Sequence, residues 1–158
     1  MIQSRGRCVF FLKKASTSQV LELYRERYAG IDVCAVDEAF RLLRHGSQLV
    51  HTLKTFFDCH GMTSTRFMVM IVIDLAAEQG GLPPGEVAAR LDVSRTVATE
   101  AINALVRRGL LTTAPRGGER SRSVTLTSDG QMVLGEQLPK YLSLIADFMR
   151  RNRIDAAS

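Results

Sequence analysis

Residues 91–111 read LDVSRTVATEAINALVRRGLL, and their hydrogen-bonding side chains are the first that can do recognisable chemistry. Val97, Ala101, Ile102 and Leu105 recur at the spacing of one apolar helix face, which leaves Arg95, Thr96, Thr99, Glu100 and Asn103 on the other. That polar side is not the Glu/Lys lattice of an ordinary solvated face. A guanidinium, two hydroxyls, a carboxylate and an amide together supply the donors and acceptors that read base edges. Seven arginines lie between Arg90 and Arg122 against only Asp92, Glu100 and Glu119, so local positive charge travels with this helix. Arg120 and Arg122 follow Gly117 and Gly118, a composition that suits a hairpin tip touching phosphate or the minor groove.

Other chemistries find fewer residues. There is no nucleophile elbow, phosphate loop, HExxH or close carboxylate pair on one predicted face, so neither catalysis nor a cofactor is expected. His45 and His51 are six residues apart and fall on different helical faces. A metal site can be drawn from His60 with Cys59 or Asp58, but satisfied structural histidines are the better expectation, and no metal is assigned. Cys8, Cys34 and Cys59 are scattered without a CxxC pair, which points to a reducing cytoplasm. Cys59 is expected as a small buried apolar residue.

The elements that must position the polar helix follow from periodicity and breakers. Ser94 stands as its N-cap, and Gly109 after Arg107 and Arg108 as its stop. Upstream, Thr17 to Tyr28 predicts a short helix. Asp32 to His60 predicts one long helix, weakly interrupted at Gly46-Ser47 and ended by Gly61. Thr63 caps STRFMVMIVIDLAAEQ, which is apolar nearly all round from Phe67 to Leu75 and therefore expected to be buried. Pro83 and Pro84 start PGEVAARLD, with Val87, Ala88 and Leu91 inward. Downstream, LLTTAP and SVTLT read as two strands around the glycine-containing loop, and Ser128 as the cap of a last helix to about Arg151, kinked at Pro139.

At 158 residues, with 46% hydrophobic and 23% charged, the chain is sized and composed as one globular domain. The formal net charge of +5 favours anionic partners. No apolar run approaches the roughly 18 residues of a membrane span, and CVFFL in the basic N-terminal stretch is too short for a secretory core. The order helix, turn, second helix and basic hairpin is that of a winged helix-turn-helix, whose second helix enters the major groove by its N-terminal end. The expected fold is mainly α with a small antiparallel β-wing, dimerising through its N- and C-terminal helices. Its parts are a basic arm and short helix over 1–30, a long dimerisation helix over 31–62, a DNA-binding lobe over 63–127 and a C-terminal dimerisation helix over 128–158.

These residues resemble the MarR-type winged helix-turn-helix transcriptional regulator family. GMTSTRFMVMIVIDLA (61–76), PPGEVAARLDVSRTVATEAINALVRRGLL (83–111), SVTLTSDGQMVL (123–134) and Leu138-Pro139 match its pattern in order and spacing over roughly residues 32–149. The resemblance implies a cytoplasmic homodimer, nucleoid-associated through double-stranded DNA, on a pseudo-palindromic operator. Its DNA contacts fall on Ser94, Arg95, Thr96, Thr99, Glu100, Asn103, Arg120 and Arg122. It also implies a small-molecule effector, for which Phe57, His60, Met62, Phe67 and Met70 sit where relatives hold ligands; a core needs the same side chains. Three departures bear on the operator and the dimer. Gly118 replaces the wing's acidic residue, Glu100 and Ala104 stand where arginines are common, and the usual last helix is expected to be missing after Arg153, its place taken by the N-terminal arm. Two alternatives stay open: a protein-recruiting winged helix with weak or no DNA binding, and a thiol-based redox sensor through Cys34 near the long helix's start.

Overall fold

The computed structural model describes Tyr24, Arg27 and residues 30–115 and 122–152. The chain divides into two compact units, Met1–Thr52 and Leu53–Ser158. In the first, Tyr24 and Arg27 are helical, and the first part of α1 (Val33–Cys59) begins there without interruption at Gly46-Ser47. Asp32 is outside the helix as its cap, Oδ1 accepting from the Ala35 amide at 3.0 Å. Leu42, Leu43 and Val50 are exposed on this stretch.

The second unit holds the rest of α1, then α2 (Ser64–Asp74), a 3₁₀ turn (Ala77–Gln79), α3 (Pro84–Leu91), α4 (Arg95–Arg107), β1 (Leu111–Pro115), β2 (Arg122–Leu126) and α5 (Ser128–Arg151). α2 is its centre: Phe67, Val69, Met70 and Ile73 are buried, as its all-round apolar sequence predicts. That burial stops short of the expected end. Leu75 is 76% exposed, and the helix expected to run to Gln79 gives way to the 3₁₀ turn, closed by Gly80 in the left-handed region at φ 75°. Thr63 caps α2 as predicted, accepting from the Arg66 amide at 3.3 Å.

The strands pair antiparallel in the register Leu111↔Leu126, Thr113↔Val124 and Pro115↔Arg122. Leu82 adds a bridge to Val124, with N–H···O bonds of 3.1 and 2.8 Å in the two directions. Gly81 makes this approach possible, since a Cβ there would lie 2.2 Å from the Val124 carbonyl oxygen. Leu82, Val87, Ile102, Leu105, Leu111, Val124 and Leu134 close the core around α2.

The cap of α5 is Thr127, not Ser128. Its hydroxyl accepts from the Gly130 amide at 3.0 Å and donates to the Gly109 carbonyl at 2.6 Å. Thr127 wins because one hydroxyl there satisfies orphan groups at two helix ends, whereas Ser128 is already the first helical residue and exposed. α5 continues through Pro139 as one helix. No helix among the described residues is long and apolar enough to cross a membrane.

Candidate nucleic-acid interface and adjoining cavity

α4 is built by its two ends. Ser94 accepts from the Val97 amide at 3.3 Å through Oγ. At the other end Gly109, at φ 71°, donates to the Val106 carbonyl (2.9 Å) while Leu110 donates to that of Leu105 (3.0 Å). That pair of bonds is a Schellman motif, with buried Leu105 and Leu110 as its apolar contact. Between these ends Ala98, Ala101, Ile102, Ala104 and Leu105 are buried.

Arg95, Thr96, Thr99, Glu100 and Asn103 are all exposed, as is the cap Ser94, so α4 presents them together on its outer side. Val97, expected in the apolar face, is 41% exposed, and Ala98 is buried instead. The physical reason is angular: Val97 sits on the flank of the buried arc in the first turn, before the core closes over it. Ala104 is buried, so an arginine there would leave the core rather than extend the polar face. Arg122 is exposed at the start of β2, paired with Pro115. Arg120 lies outside the described residues, as do Gly118 and Glu119. Among the described residues the ion pairs are Lys54–Asp58, Arg90–Glu86 and Arg150–Asp147, so none neutralises Arg95, Arg107 or Arg122.

A cavity of about 170 Å³ opens beside the end of α4. Phe57, His60, Met62 and Phe67 line it, as do Phe56, Val133, Gln137 and Arg108, which the sequence reading did not single out. Met70 does not line it. It points into the sealed core of α2, with no exposed surface. The aromatic wall is continuous: Phe57 to Phe67 is 5.5 Å between centroids, Phe67 to Tyr141 5.2 Å, and Phe56 to His60 4.5 Å. His60 Nδ1 is 2.6 Å from the Phe56 carbonyl. A carbonyl only accepts, so Nδ1 is the donor in this contact.

Two polar groups stand out on this apolar wall. Gln137 Oε1 is buried without a hydrogen-bond partner. Arg108 Nη1 donates to the Gly61 carbonyl at 2.8 Å and lies 3.8 Å from Met62 Sδ. Arg108 reads in sequence only as a basic helix end; its partner is 47 residues away, a separation no local pattern bridges.

The remaining expectations fall elsewhere. Cys34 is an exposed free thiol, and so is Cys59, which was expected to be buried. Cys59 closes α1 two positions beyond the buried pair Phe56-Phe57, where the helix has turned its side chain outward. No group of three or more His, Cys, Asp or Glu among the described residues is arranged to hold a metal ion.

Residues 60–121 match the MarR family model. No match is found among curated proteins. Among solved structures, apo MarR from E. coli is 20% identical, with 70% of this chain and 81% of that one covered and a TM-score of 0.60. A transcriptional regulator of M. tuberculosis, MosR, solved in complex with DNA, is 25% identical over 71% of this chain and 80% of its own, TM-score 0.56. BpsR of Bordetella bronchiseptica, solved for the regulation of its DNA binding by 6-hydroxynicotinic acid, is 22% identical over 68% and 76%, TM-score 0.55. The fold resembles that of these winged helix-turn-helix structures, and residues 60–121 carry the pattern of the MarR family.

Proposed function

We propose that the chain is a cytoplasmic, homodimeric transcriptional regulator, a repressor, that binds a pseudo-palindromic operator through α4 and the wing. The observation that carries this reading is the division of α4. Five alternately cationic, hydroxylic, acidic and amide side chains are exposed on a rigid helix whose other side is sealed in the core. The α4 N-terminus adds its own positive dipole end to Arg95, and Arg122 adds cationic charge at the wing. Arg120 is assigned to the same wing contact. Homodimerisation is supported by apolar positions left open at heptad spacing: Leu43 and Val50 on α1, Leu142 and Met149 on α5. Release by a small apolar ligand is supported by the aromatic cavity beside α4.

The test is a fluorescence-anisotropy titration of duplexes selected from a randomised pool, against random competitor, at several salt concentrations. Tight binding that resists competitor, with a steep salt dependence whose slope falls by about one in Arg122→Ala and again in Arg120→Ala, is expected. Equal, weak affinity for selected and random duplexes overturns the reading. It would turn attention to protein recruitment, which the exposed carboxylate of Glu100 on this face favours.

A further inference from the structure

α4 leaves one apolar side chain outside the core. Val97 is 41% exposed, whereas Ala98, Ala101, Ile102, Ala104 and Leu105 are buried and Val106 packs half-buried against the core. Helix propensity does not favour a valine there. A β-branched side chain loses χ1 freedom in a helix, so alanine suits an open helical position better. What the valine has is a fixed direction. Its amide donates to Ser94 Oγ at 3.3 Å in the first turn, and its branched side chain strongly prefers one rotamer in a helix. An isopropyl group therefore stands at a set place near the N-terminal end of α4, the end that a winged helix-turn-helix sends into the major groove.

The groove itself offers little that is apolar. Base edges there show hydrogen-bond donors and acceptors, and among the four ordinary bases only thymine adds hydrocarbon, the methyl group on its ring. A methylated cytosine carries its methyl on the same ring carbon, beside the amino donor. The exposed polar side chains of α4 have no use for such a group, and Val97 does. Glu100 lies one helical turn further on, where Cβ atoms are about 5–6 Å apart. Its exposed carboxylate accepts from a cytosine amino group, so hydrocarbon and acceptor stand side by side. The charge around them suits a duplex, since none of the ion pairs among the described residues neutralises Arg95 or Arg107 on the same helix.

We propose that Val97 is a specificity-determining residue of α4, packing its isopropyl group against the 5-methyl group of a pyrimidine in the major groove. The proposal rests on the DNA-binding reading above and adds to it a contact that carries neither charge nor hydrogen bond. Thymine and 5-methylcytosine both present this methyl. Thymine shows it beside a carbonyl acceptor, which leaves Glu100 to a neighbouring pair, whereas 5-methylcytosine shows it beside the amino group that Glu100 takes up. Removing one methyl from water is worth about fourfold in affinity, and that factor is the signature of the contact.

The experiment titrates the full chain with a selected duplex and with copies altered at one base of one half-site. In one series each thymine in turn becomes deoxyuridine, and in the other each cytosine becomes 5-methylcytosine. Each exchange removes or adds a single methyl group and leaves every base-pairing hydrogen bond in place. For the wild type, deoxyuridine at one position should weaken binding about fourfold where thymine is the source, and 5-methylcytosine at one position should tighten it about fourfold where methylated cytosine is. Val97→Ala, at an exposed position that alanine suits, should abolish that difference. Arg122→Ala should weaken binding to every duplex alike and keep the ratio, as would any variant that merely disturbed α4, so the ratio reads the contact and not the fold. A methyl effect of undiminished size in Val97→Ala, or no effect at any position in the wild type, overturns the proposal. A tightly bound duplex indifferent to its methyl groups removes this proposal alone, whereas failure to select any duplex removes the DNA-binding reading and this one with it.

Discussion

Glu100 shows how much a single side chain constrains the proposed interface. Its carboxylate is exposed among Thr96, Thr99 and Asn103 on α4, and a carboxylate near phosphate repels it unless a base amino group takes it up. Glu100→Ala is therefore expected to lower discrimination at one C·G pair by about 1–3 kcal/mol while raising affinity for random duplex, read by competition titration on single-base variants of a selected site. Residues of this kind were legible in the sequence, because a polar cluster opposite an apolar stripe is visible in one dimension. Val97 was expected in the buried face and is exposed, whereas Met70 was offered both to a ligand site and to the core, and the core holds it. A residue on the flank of the 3.6-residue stripe is buried or exposed according to what packs over it, and α4's first turn and α2's inner face resolve that oppositely. Arg108 was not legible at all as anything but a helix end, since its meaning lies in Gly61.

At the scale of elements, stability is concentrated where helix ends meet. α4 ends in a Schellman motif whose Gly109 carbonyl receives the Thr127 hydroxyl, and the Thr127 amide donates to the Leu110 carbonyl at 3.1 Å. Gly130, one turn into α5, completes this junction, because a Cβ on it would stand 2.1 Å from the Leu110 carbonyl oxygen. Gly130→Ala is expected to cost about 1–3 kcal/mol through overpacking against backbone that cannot give way, lowering Tm in a thermal melt by several degrees. Ser94→Ala removes the cap of α4 and should cost about 1 kcal/mol in urea unfolding. The Ser94 cap was visible in sequence as a short hydroxyl residue before an apolar period. The choice of Thr127 over Ser128 was not, because the deciding acceptor, Gly109, belongs to the preceding motif.

For the molecule as a whole, the proposed two-fold dimer makes geometric demands. Half-sites should lie about 10 base pairs apart, so that both α4 helices meet the major groove on one side of the duplex. Inserting about five base pairs between selected half-sites turns one of them to the opposite face and should reduce binding to the level of a random duplex in the anisotropy assay. Val50 and Leu43, open on α1, supply the matching protein test. Val50→Glu places a charge on a surface expected to be shared between copies, and light scattering should then report monomer at concentrations where the wild type is dimeric.

Taken by itself, the sequence determined the order of elements, the polar composition of α4 and the caps and glycines that bound it. These depend on residue periodicity, backbone φ preference and short-range hydrogen bonds, all local along the chain. Only the tertiary structure decided that Ala104 is core and Val97 surface, that α2 ends before Leu75, and that Phe57, His60, Met62 and Phe67 face a cavity while Met70 does not. It alone brought Arg108 onto Gly61, across 47 residues. Burial and long-range hydrogen bonding are properties of what packs against a residue, and the packing partners here come from helices that are remote in sequence.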